Sequence, residues 1–306
     1  MNRPRFSIVL PTYNRERTLV RAIESVLRQS CEEWELIVVD DGSTDGTSAL
    51  LARQLDRRVR TVMADHRGVS AARNAGIRVA AGDYITFLDS DDHADHDWLA
   101  CLSHLVADRR CALAFCAARY ATDSGQTVSV APPRSLGPLY GGLVGVFLPG
   151  TYAVARDLVL GVGGFDEELR YSEHSELGIR LALAGHAQGS SVASTDSPLV
   201  TITLRNAQGR LRSYGRARLD AVERMLSVHA QLFAQDRNAL AMYHWIAAVD
   251  HLRGQSWHRG LTHLVAAIRR APVPVSRKIL SGAARGAYWS LMARSPAARN
   301  PGADPQ

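Results

Sequence analysis

Apolar runs of strand length alternate with amphipathic segments of helix length over residues 6–107. The runs predict strands at residues 6–10, 35–39, 59–63 and 84–88, and the segments predict helices at residues 15–29, 44–55, 69–81 and 95–107. Strands separated by helices pair in parallel, and a sheet that is covered on both faces has continuously apolar strands. The alternation therefore predicts an α/β fold with a mostly parallel sheet and helices on both faces.

The pattern after residue 110 is less regular. Further strands are predicted at residues 111–120, 152–156 and 198–204, a helix at 176–184, and a loop rich in proline and glycine at 131–150. Beyond Arg205, apolar residues recur at helical spacing. We therefore predict an α/β domain over residues 1–205 and an α-helical C-terminal region over residues 206–306, with a frayed tail from Ser295.

The charge balance narrows the expected partners. The net charge is +6, almost all of the positive charge comes from arginine, and basic residues concentrate beyond Arg205. Such a region favours an anionic substrate or peripheral contact with an anionic membrane surface. No stripe of interleaved aromatic and basic residues indicates a nucleic-acid partner. No apolar run could span a membrane and no signal-peptide pattern is present, so we expect a cytoplasmic protein, with any membrane contact at the inner face.

Three carboxylates follow the fourth predicted strand directly, at Asp89, Asp91 and Asp92. On an extended backbone, Asp89 and Asp91 point to the same side. Two carboxylates on one side suit Mg²⁺ or Mn²⁺ shared with a substrate phosphate, because both ions prefer hard oxygen ligands. An isolated Asp-x-Asp is more often a solvated acidic turn, so the neighbouring motifs decide between the two explanations.

Polar motifs also follow the first and second predicted strands and occupy the third helix. They are residues 11–14 (Pro-Thr-Tyr-Asn), 40–47 (Asp-Asp-Gly-Ser-Thr-Asp-Gly-Thr) and 68–76 (Gly-Val-Ser-Ala-Ala-Arg-Asn-Ala-Gly). Together with the Asp-x-Asp, their order and spacing resemble the family 2 glycosyltransferases of the GT-A fold, over residues 6–205. The resemblance implies inverting transfer of a sugar from a nucleotide-sugar donor to a glycan or lipid-linked acceptor, as in polysaccharide biosynthesis, with Mg²⁺ or Mn²⁺ as cofactor.

The resemblance also assigns residues to the nucleotide. Pro11, Thr12 and Tyr13 would form the floor of the site, where the Tyr13 ring would stack on the base. Asp40 would accept the imide N–H of uracil or thymine, which favours a UDP- or dTDP-sugar. Arg73 would reach the nucleotide, and its alternative role is to pair with Asp40 within the fold.

The metal motif is assigned in the same way. Asp89 and Asp91 would be the metal ligands, with Asp91 the more direct one, and Ser90 would lie between them in the donor site. Asp92 would either orient the donor sugar or hold the loop. A divalent ion that bridges both phosphates stabilises the charge that develops on a departing nucleoside diphosphate.

The sequence departs from the family at the catalytic base. The Gly-Gly-Phe-Asp turn at residues 163–166 is followed by Glu173 and His174, where the family has a Glu-Asp pair whose Asp is the base. Three alternatives stay open: His174 is the base, Glu173 or Glu176 has taken that role, or the site only binds. If His174 is the base, the neighbouring carboxylates are expected to raise its pKa, and activity is expected to decline near neutrality.

Two other functions compete with sugar transfer. A nucleotide-sugar-binding or scaffold protein could have lost the base, but intact Asp89 and Asp91 favour an enzyme because a scaffold needs no metal site. A dinucleotide-dependent oxidoreductase is excluded, because the turn after the first strand lacks Gly-x-Gly-x-x-Gly. No motif in the 131–150 loop or in the helical region identifies the acceptor.

Overall fold

The structure is a computed structural model that describes residues 3–54, 56–108, 110–204 and 207–271, without the side chains of residues 207–215 and 253. The chain divides into two units, residues 1–221 and 222–306. The predicted boundary between residues 205 and 206 and the predicted frayed tail from Ser295 lie outside the described residues.

The strands of the first unit form one large sheet and one small one. They are β1 (Phe6–Thr12), β2 (Trp34–Asp40), β3 (Val59–Met63), β4 (Tyr84–Phe87), β5 (His93–Ala94), β6 (Cys111–Thr122), β7 (Thr127–Ala131), β8 (Arg134–Ser135), β9 (Val144–Gly145), β10 (Tyr152–Ala155) and β11 (Ser191–Leu204). The large sheet has the order β3-β2-β1-β4-β10-β6-β11-β5, with β7 paired to β6, and β8 pairs with β9.

The sheet has a parallel half and a mixed half. Strands β3, β2, β1 and β4 are parallel neighbours, as are β6 and β11. Strand β10 is antiparallel to both β4 and β6, and it therefore joins the two halves. The predicted α/β sheet is confirmed, and its parallel character is concentrated in the first four strands of the predicted alternation.

Helices cover the sheet and make up the described part of the second unit. They are α1 (Leu19–Leu27), α2 (Thr47–Leu51), α3 (Val69–Val79), α4 (Trp98–Leu105), α5 (Arg156–Gly161), α6 (Glu173–Ala187), α7 (Ala207–Val228), α8 (Ala230–Gln235), α9 (Arg237–Arg253) and α10 (Trp257–Arg270). Helix α7 crosses the boundary between the units. Among the described residues, no helix is both long and apolar enough to cross a bilayer.

Alternate residues of the central strands enter two separate cores. In β1, Ile8 and Leu10 belong to the core that includes α1 and α4, whereas Val9 belongs to the core on the opposite face, with residues of α3 and α6. This period of two explains why the strand is buried at every position and mostly apolar. Gly76 lets α3 lie directly on the sheet, because a Cβ there would collide with the side chain of Val9.

Candidate active site

A cavity of about 160 Å³ lies where β1, β2 and β4 end. The parallel pairing brings these ends together: Thr12 lies opposite Asp40, and the amide of Leu88 donates to the carbonyl of Val9. The cavity is lined by Pro11, Thr12, Tyr13, Arg15, Asp41, Val69, Ala72, Asp89, Ser90 and Asp91. The structure therefore places the predicted floor of the nucleotide site and the Asp-x-Asp around the same cavity.

Tyr13 and His66 form a partly exposed aromatic pair beside this cavity. Tyr13 is 38% exposed, and its ring centroid lies 4.1 Å from that of His66, with 31° between the ring planes. The Nδ1 atom of His66 lies 2.9 Å from the main-chain oxygen of Asp41, which fixes the ring. Such a surface suits stacking by a nucleobase. His66 was not predicted, because no motif marks the residues that follow β3.

Two consecutive aspartates lie at the end of β2, Asp40 as its last residue and Asp41 directly after it, and the second of them lines the cavity. Asp40 is fully buried, and its two oxygens accept hydrogen bonds from the Ser43 amide (2.9 Å) and the Ser48 hydroxyl (2.7 Å). Asp41 accepts from the amides of Arg67 and Gly68 and thereby holds the loop that leads into α3. In this conformation both carboxylates organise loops, and Asp41 rather than Asp40 lines the cavity.

Arg73 connects two carboxylates from distant parts of the chain. Its side chain is 1% exposed, and its two Nη atoms each donate at 2.8 Å, one to Asp89 and one to Glu173. A buried guanidinium requires such partners, and its planar fork can hold two carboxylates in fixed positions. The alternative pairing of Arg73 with Asp40 is not what the structure shows.

The three carboxylates after β4 form a compact cluster. Asp89, Asp91 and Asp92 each offer an oxygen, and these oxygens lie within 4.8 Å of one another. The Nη2 atom of Arg21 donates to the main-chain oxygen of Asp91 at 2.6 Å, and the Thr203 amide donates to Asp92 at 2.8 Å. Asp92 therefore ties the loop to β11, as one of its two predicted roles requires.

The cluster is chemically suited to a divalent cation. Its ligands are hard oxygens, the kind that Mg²⁺ and Mn²⁺ prefer. Burial raises the pKa of Asp89, and the nearby Asp91 and Glu173 add to this rise, whereas Arg73 opposes it. A cation bound between Asp89 and Asp91 would remove the mutual repulsion of these carboxylates, so the residues present fit the metal that the resemblance implies.

Two of the three candidates for the base, Glu173 and His174, are neighbours at the start of α6 but have different surroundings. Glu173 begins α6, is 15% exposed at its side chain, and faces Arg73 at the site. His174 is 5% exposed, and its ring lies among Phe87, Tyr152 and Phe165, with centroids 5.0–5.7 Å away.

His174 has one hydrogen-bonded nitrogen and one unsatisfied nitrogen. Its Nδ1 atom lies 2.8 Å from the hydroxyl of Tyr152, and its Nε2 atom is buried without a partner among the described residues. Burial raises the pKa of Tyr152 well above its usual value, so this hydroxyl keeps its proton and can donate it to Nδ1. The contacts of His174 are thus those of a core residue.

The expected rise in the pKa of His174 was wrong. Burial, aided by the positive charge of Arg73, lowers the pKa of His174 well below its ordinary value. The carboxylates that were expected to raise it have other partners, since Glu173 binds Arg73 and Glu176 binds Arg180. His174 is therefore neutral at physiological pH.

The family model of glycosyl transferase family 2 matches residues 7–157. One relative is the Escherichia coli enzyme named UDP-Glc:alpha-D-GlcNAc-diphosphoundecaprenol beta-1,3-glucosyltransferase WfgD, which is 41% identical over 87 residues, or 28% of this chain and 34% of that protein. This chain spans less than half of the length of the curated relatives compared, for example 41% of an uncharacterised glycosyltransferase from Haemophilus influenzae and 46% of a teichuronic acid biosynthesis glycosyltransferase named TuaG from Bacillus subtilis.

Two solved structures share the fold at low sequence identity. TarS 1–349 of S. aureus, crystallised with UDP-GlcNAc, has a TM-score of 0.57 and 17% identity, covering 87% of this chain and 91% of that one. The mannosyltransferase PcManGT from Pyrobaculum calidifontis, in complex with GDP-Man and Mn²⁺, has a TM-score of 0.58 and 19% identity, covering 94% and 82%. These likenesses confirm the predicted GT-A type of fold. The match over residues 7–157 identifies that part of the chain as a glycosyl transferase family 2 domain.

Proposed function

We propose that this chain transfers a sugar from a UDP- or dTDP-sugar to a glycan or lipid-linked acceptor, with inversion, and uses Mg²⁺ or Mn²⁺. The observation that carries the proposal is the carboxylate cluster of Asp89, Asp91 and Asp92 at the edge of a cavity floored by residues 11–13. A protein that only bound a nucleotide sugar would have no need for this arrangement, and the family relationship does not favour that alternative.

The nucleotide side of the cavity supports a pyrimidine donor. Tyr13 and His66 offer a stacking surface, and Asp40, behind the Ser43–Ser48 loop, would accept an imide N–H once a base displaces one of its loop contacts. WfgD has UDP-Glc in its name, and TarS was crystallised with UDP-GlcNAc. PcManGT carries GDP-Man, so the fold alone does not choose the base, and the choice rests on these side chains.

The diphosphate would lie between the acidic cluster and Arg15. Asp89 and Asp91 would hold the divalent ion, which when bound neutralises the charge on the leaving nucleoside diphosphate. Arg15 lines the cavity, and its Nη2 atom lies 3.9 Å from Asp91 Oδ2, so its guanidinium is placed to bind a phosphate oxygen. Arg73, by holding Asp89, would orient one metal ligand without touching the substrate.

Of the three residues considered for the base, Glu173 is best placed to accept the proton of the acceptor hydroxyl, since Glu176 is buried and paired with Arg180. Glu173 is partly exposed and shares the Arg73 guanidinium with Asp89, whereas His174 is enclosed by aromatic rings. A carboxylate opposite the leaving diphosphate serves as a general base in an in-line displacement. His174 would instead fix the start of α6 through Tyr152.

Peripheral contact with a membrane is supported by α10. Trp257, Leu261, Val265 and Ile268 recur along one face of this helix and are 39–63% exposed. Arg259 and Arg269 are exposed on the same helix. An amphipathic helix with exposed apolar and basic side chains is suited to an anionic membrane surface, where a lipid-linked acceptor would be found.

A donor screen tests the proposal. Purified chain is incubated with Mn²⁺ and UDP-, dTDP- or GDP-sugars, and release of the nucleoside diphosphate is measured with and without diphospholipid acceptors. We expect turnover with a UDP- or dTDP-sugar that is lost in Asp91→Asn, while Asp123→Asn, which changes an acid outside the cavity, retains it. Binding of donors by a folded protein that turns over none of them would favour the nucleotide-sugar-binding alternative. Preferential turnover of a GDP-sugar would refute the pyrimidine assignment.

A further inference from the structure

Three histidines and a glutamate come together in the second unit, outside the candidate active site. Glu223 lies near the end of α7, His244 and His251 lie on α9, and His263 lies on α10. His244 and His251 are seven residues apart, which is about two helical turns, so both project from the same side of α9. Side chains of α7, α9 and α10 that can ligate a metal thus lie close together within the second unit.

The contacts within this cluster are short. The Nε2 atom of His251 lies 3.2 Å from Oε1 of Glu223, and the Nδ1 atoms of His244 and His263 lie 2.9 Å apart. The rings of His251 and His263 are stacked, with centroids 5.4 Å apart. Glu223, His251 and His263 each offer one ligand atom, and these three atoms lie within 4.8 Å of one another.

We propose that Glu223, His251 and His263 bind a late first-row divalent metal ion, such as Zn²⁺. Two imidazoles and one carboxylate are a ligand set that Zn²⁺ accepts, with a fourth position left for water. Mg²⁺ and Ca²⁺ prefer oxygen ligands, so this site would be selective against the ions suited to Asp89 and Asp91. The chain would then hold two metal sites of different chemistry.

The accessibility of the ligands is consistent with a site that fills from solvent. The side chain of His251 is 3% exposed, which protects the ligand, whereas that of Glu223 is 44% exposed and gives an ion a way in. Without an ion, the same groups form a polar Glu–His contact and a His–His contact. With an ion, coordinate bonds would join α7, α9 and α10 in place of the Glu223–His251 hydrogen bond, and the His244–His263 hydrogen bond would remain.

His244 is assigned as a positioning residue. If His263 binds the ion through Nε2, its Nδ1–H points at the Nδ1 atom of His244, 2.9 Å away. A metal-bound imidazole is commonly held in this way by an acceptor on its other nitrogen, and loss of such a partner typically weakens metal binding by about 10–100-fold. His244→Ala should therefore weaken the site without abolishing it.

Zinc binding to the full chain tests the proposal. The protein is stripped with a chelator and titrated with Zn²⁺ against a chromophoric competitor, and Co²⁺ is used in parallel to record the visible absorption of a four-coordinate site. We expect the wild type to bind one equivalent of Zn²⁺ with high affinity. Glu223→Gln and His263→Ala should each lose more than about 100-fold in Zn²⁺ affinity, and His244→Ala should lose about 10–100-fold. His258→Ala, which removes an exposed histidine of the same helix, should bind as the wild type does.

Two further measurements separate this site from the active site and from misfolding. Asp91→Asn should still bind one equivalent of Zn²⁺, because Asp91 belongs to the carboxylate cluster of the candidate active site and not to the histidine cluster. Zn²⁺ should raise the melting temperature of the wild type and of His258→Ala but not that of Glu223→Gln, whose replaced side chain is half exposed and whose fold is checked by circular dichroism. The proposal is refuted if no equivalent is bound, if folded Glu223→Gln and His263→Ala bind as tightly as the wild type, or if Asp91→Asn alone removes the zinc.

Discussion

Paired replacement of His174 and Tyr152 separates a core role of His174 from a catalytic one. The two side chains share one hydrogen bond of 2.8 Å inside an aromatic cluster, and both are buried. His174→Leu leaves the Tyr152 hydroxyl without an acceptor, and Tyr152→Phe leaves both imidazole nitrogens unpaired. Each single variant should therefore lose about 1–3 kcal/mol of unfolding free energy, the usual cost of stranding a buried polar group.

The double variant should be less destabilised than the sum of the single variants. Replacing both partners of a buried hydrogen bond by apolar groups of similar shape is close to neutral, and here it also removes the unsatisfied Nε2 atom of His174. We expect a coupling free energy of about 1–3 kcal/mol between the two positions. Urea denaturation of the four proteins, followed by circular dichroism, measures it.

The same double variant tests catalysis. If His174 only packs, His174→Leu/Tyr152→Phe should transfer sugar within about tenfold of the wild-type rate. Glu173→Gln should lose about 10²–10⁴-fold in kcat, the usual worth of a general base, while it still binds UDP. Glu24→Gln, an exposed glutamate of α1, serves as the matched control and should leave the rate unchanged.

One outcome would refute this reasoning about His174. If the double variant is folded and binds nucleotide but loses more than about 100-fold in kcat, and Glu173→Gln does not, then His174 is the base. The aromatic cluster of Phe87, Tyr152 and Phe165 would then have to open during turnover.

Three further predictions follow from the same contacts. Burial lowers the pKa of His174 in the folded state, so the unfolding free energy should fall as the pH drops below about 6.5, by at most about 1.4 kcal/mol per pH unit for this group. In urea titrations at pH 7, 6 and 5, the unfolding free energy of His174→Leu/Tyr152→Phe should fall less steeply than that of the wild type. Asp91→Asn should abolish Mn²⁺-dependent binding of UDP in calorimetry while leaving the melting temperature within a few degrees, and undiminished binding would remove Asp91 from the metal site. Leu261→Asp should reduce sedimentation with anionic vesicles relative to Thr262→Asp, and equal sedimentation of both variants, or none by the wild type, would contradict membrane contact through α10.

The sequence predicted the parallel half of the sheet because local and long-range signals agree there. The central strands β1, β2 and β4 are buried at every position, so their residues are mostly apolar, with polar exceptions such as Ser7, Glu35 and Thr86. Amphipathic segments of helix length separate them in the sequence. The first part of β11, in contrast, has alternating exposure and polar residues. Strand β7 is mostly exposed, and it forms by pairing with β6, a long-range contact that its own residues do not signal.

The candidate site could be located from the sequence to the extent that it consists of strand ends. Residues 11–13 and 89–91 lie at the carboxyl ends of β1 and β4, where ligands of parallel sheets bind. His66 and the bond between Arg73 and Glu173 were not predictable, because they depend on loop conformations and on residues 100 positions apart. The predicted rise in the pKa of His174 was wrong for a related reason: residues that are neighbours in the sequence of a helix need not face one another.

Arg73 makes the donor side and the acceptor side of the proposed site depend on one another. Asp89 belongs to the acidic cluster, Glu173 begins α6, and one buried guanidinium holds both at 2.8 Å. Its charge offsets two carboxylates that would otherwise repel each other and the rest of the cluster. A lysine could not replace it, since a point charge on a flexible stem lacks the planar fork that holds two acceptors in fixed positions. The distance between the proposed metal ligand Asp89 and the residue proposed to accept the proton is thus set by one side chain of α3, a helix that packs closely on the sheet at Gly76.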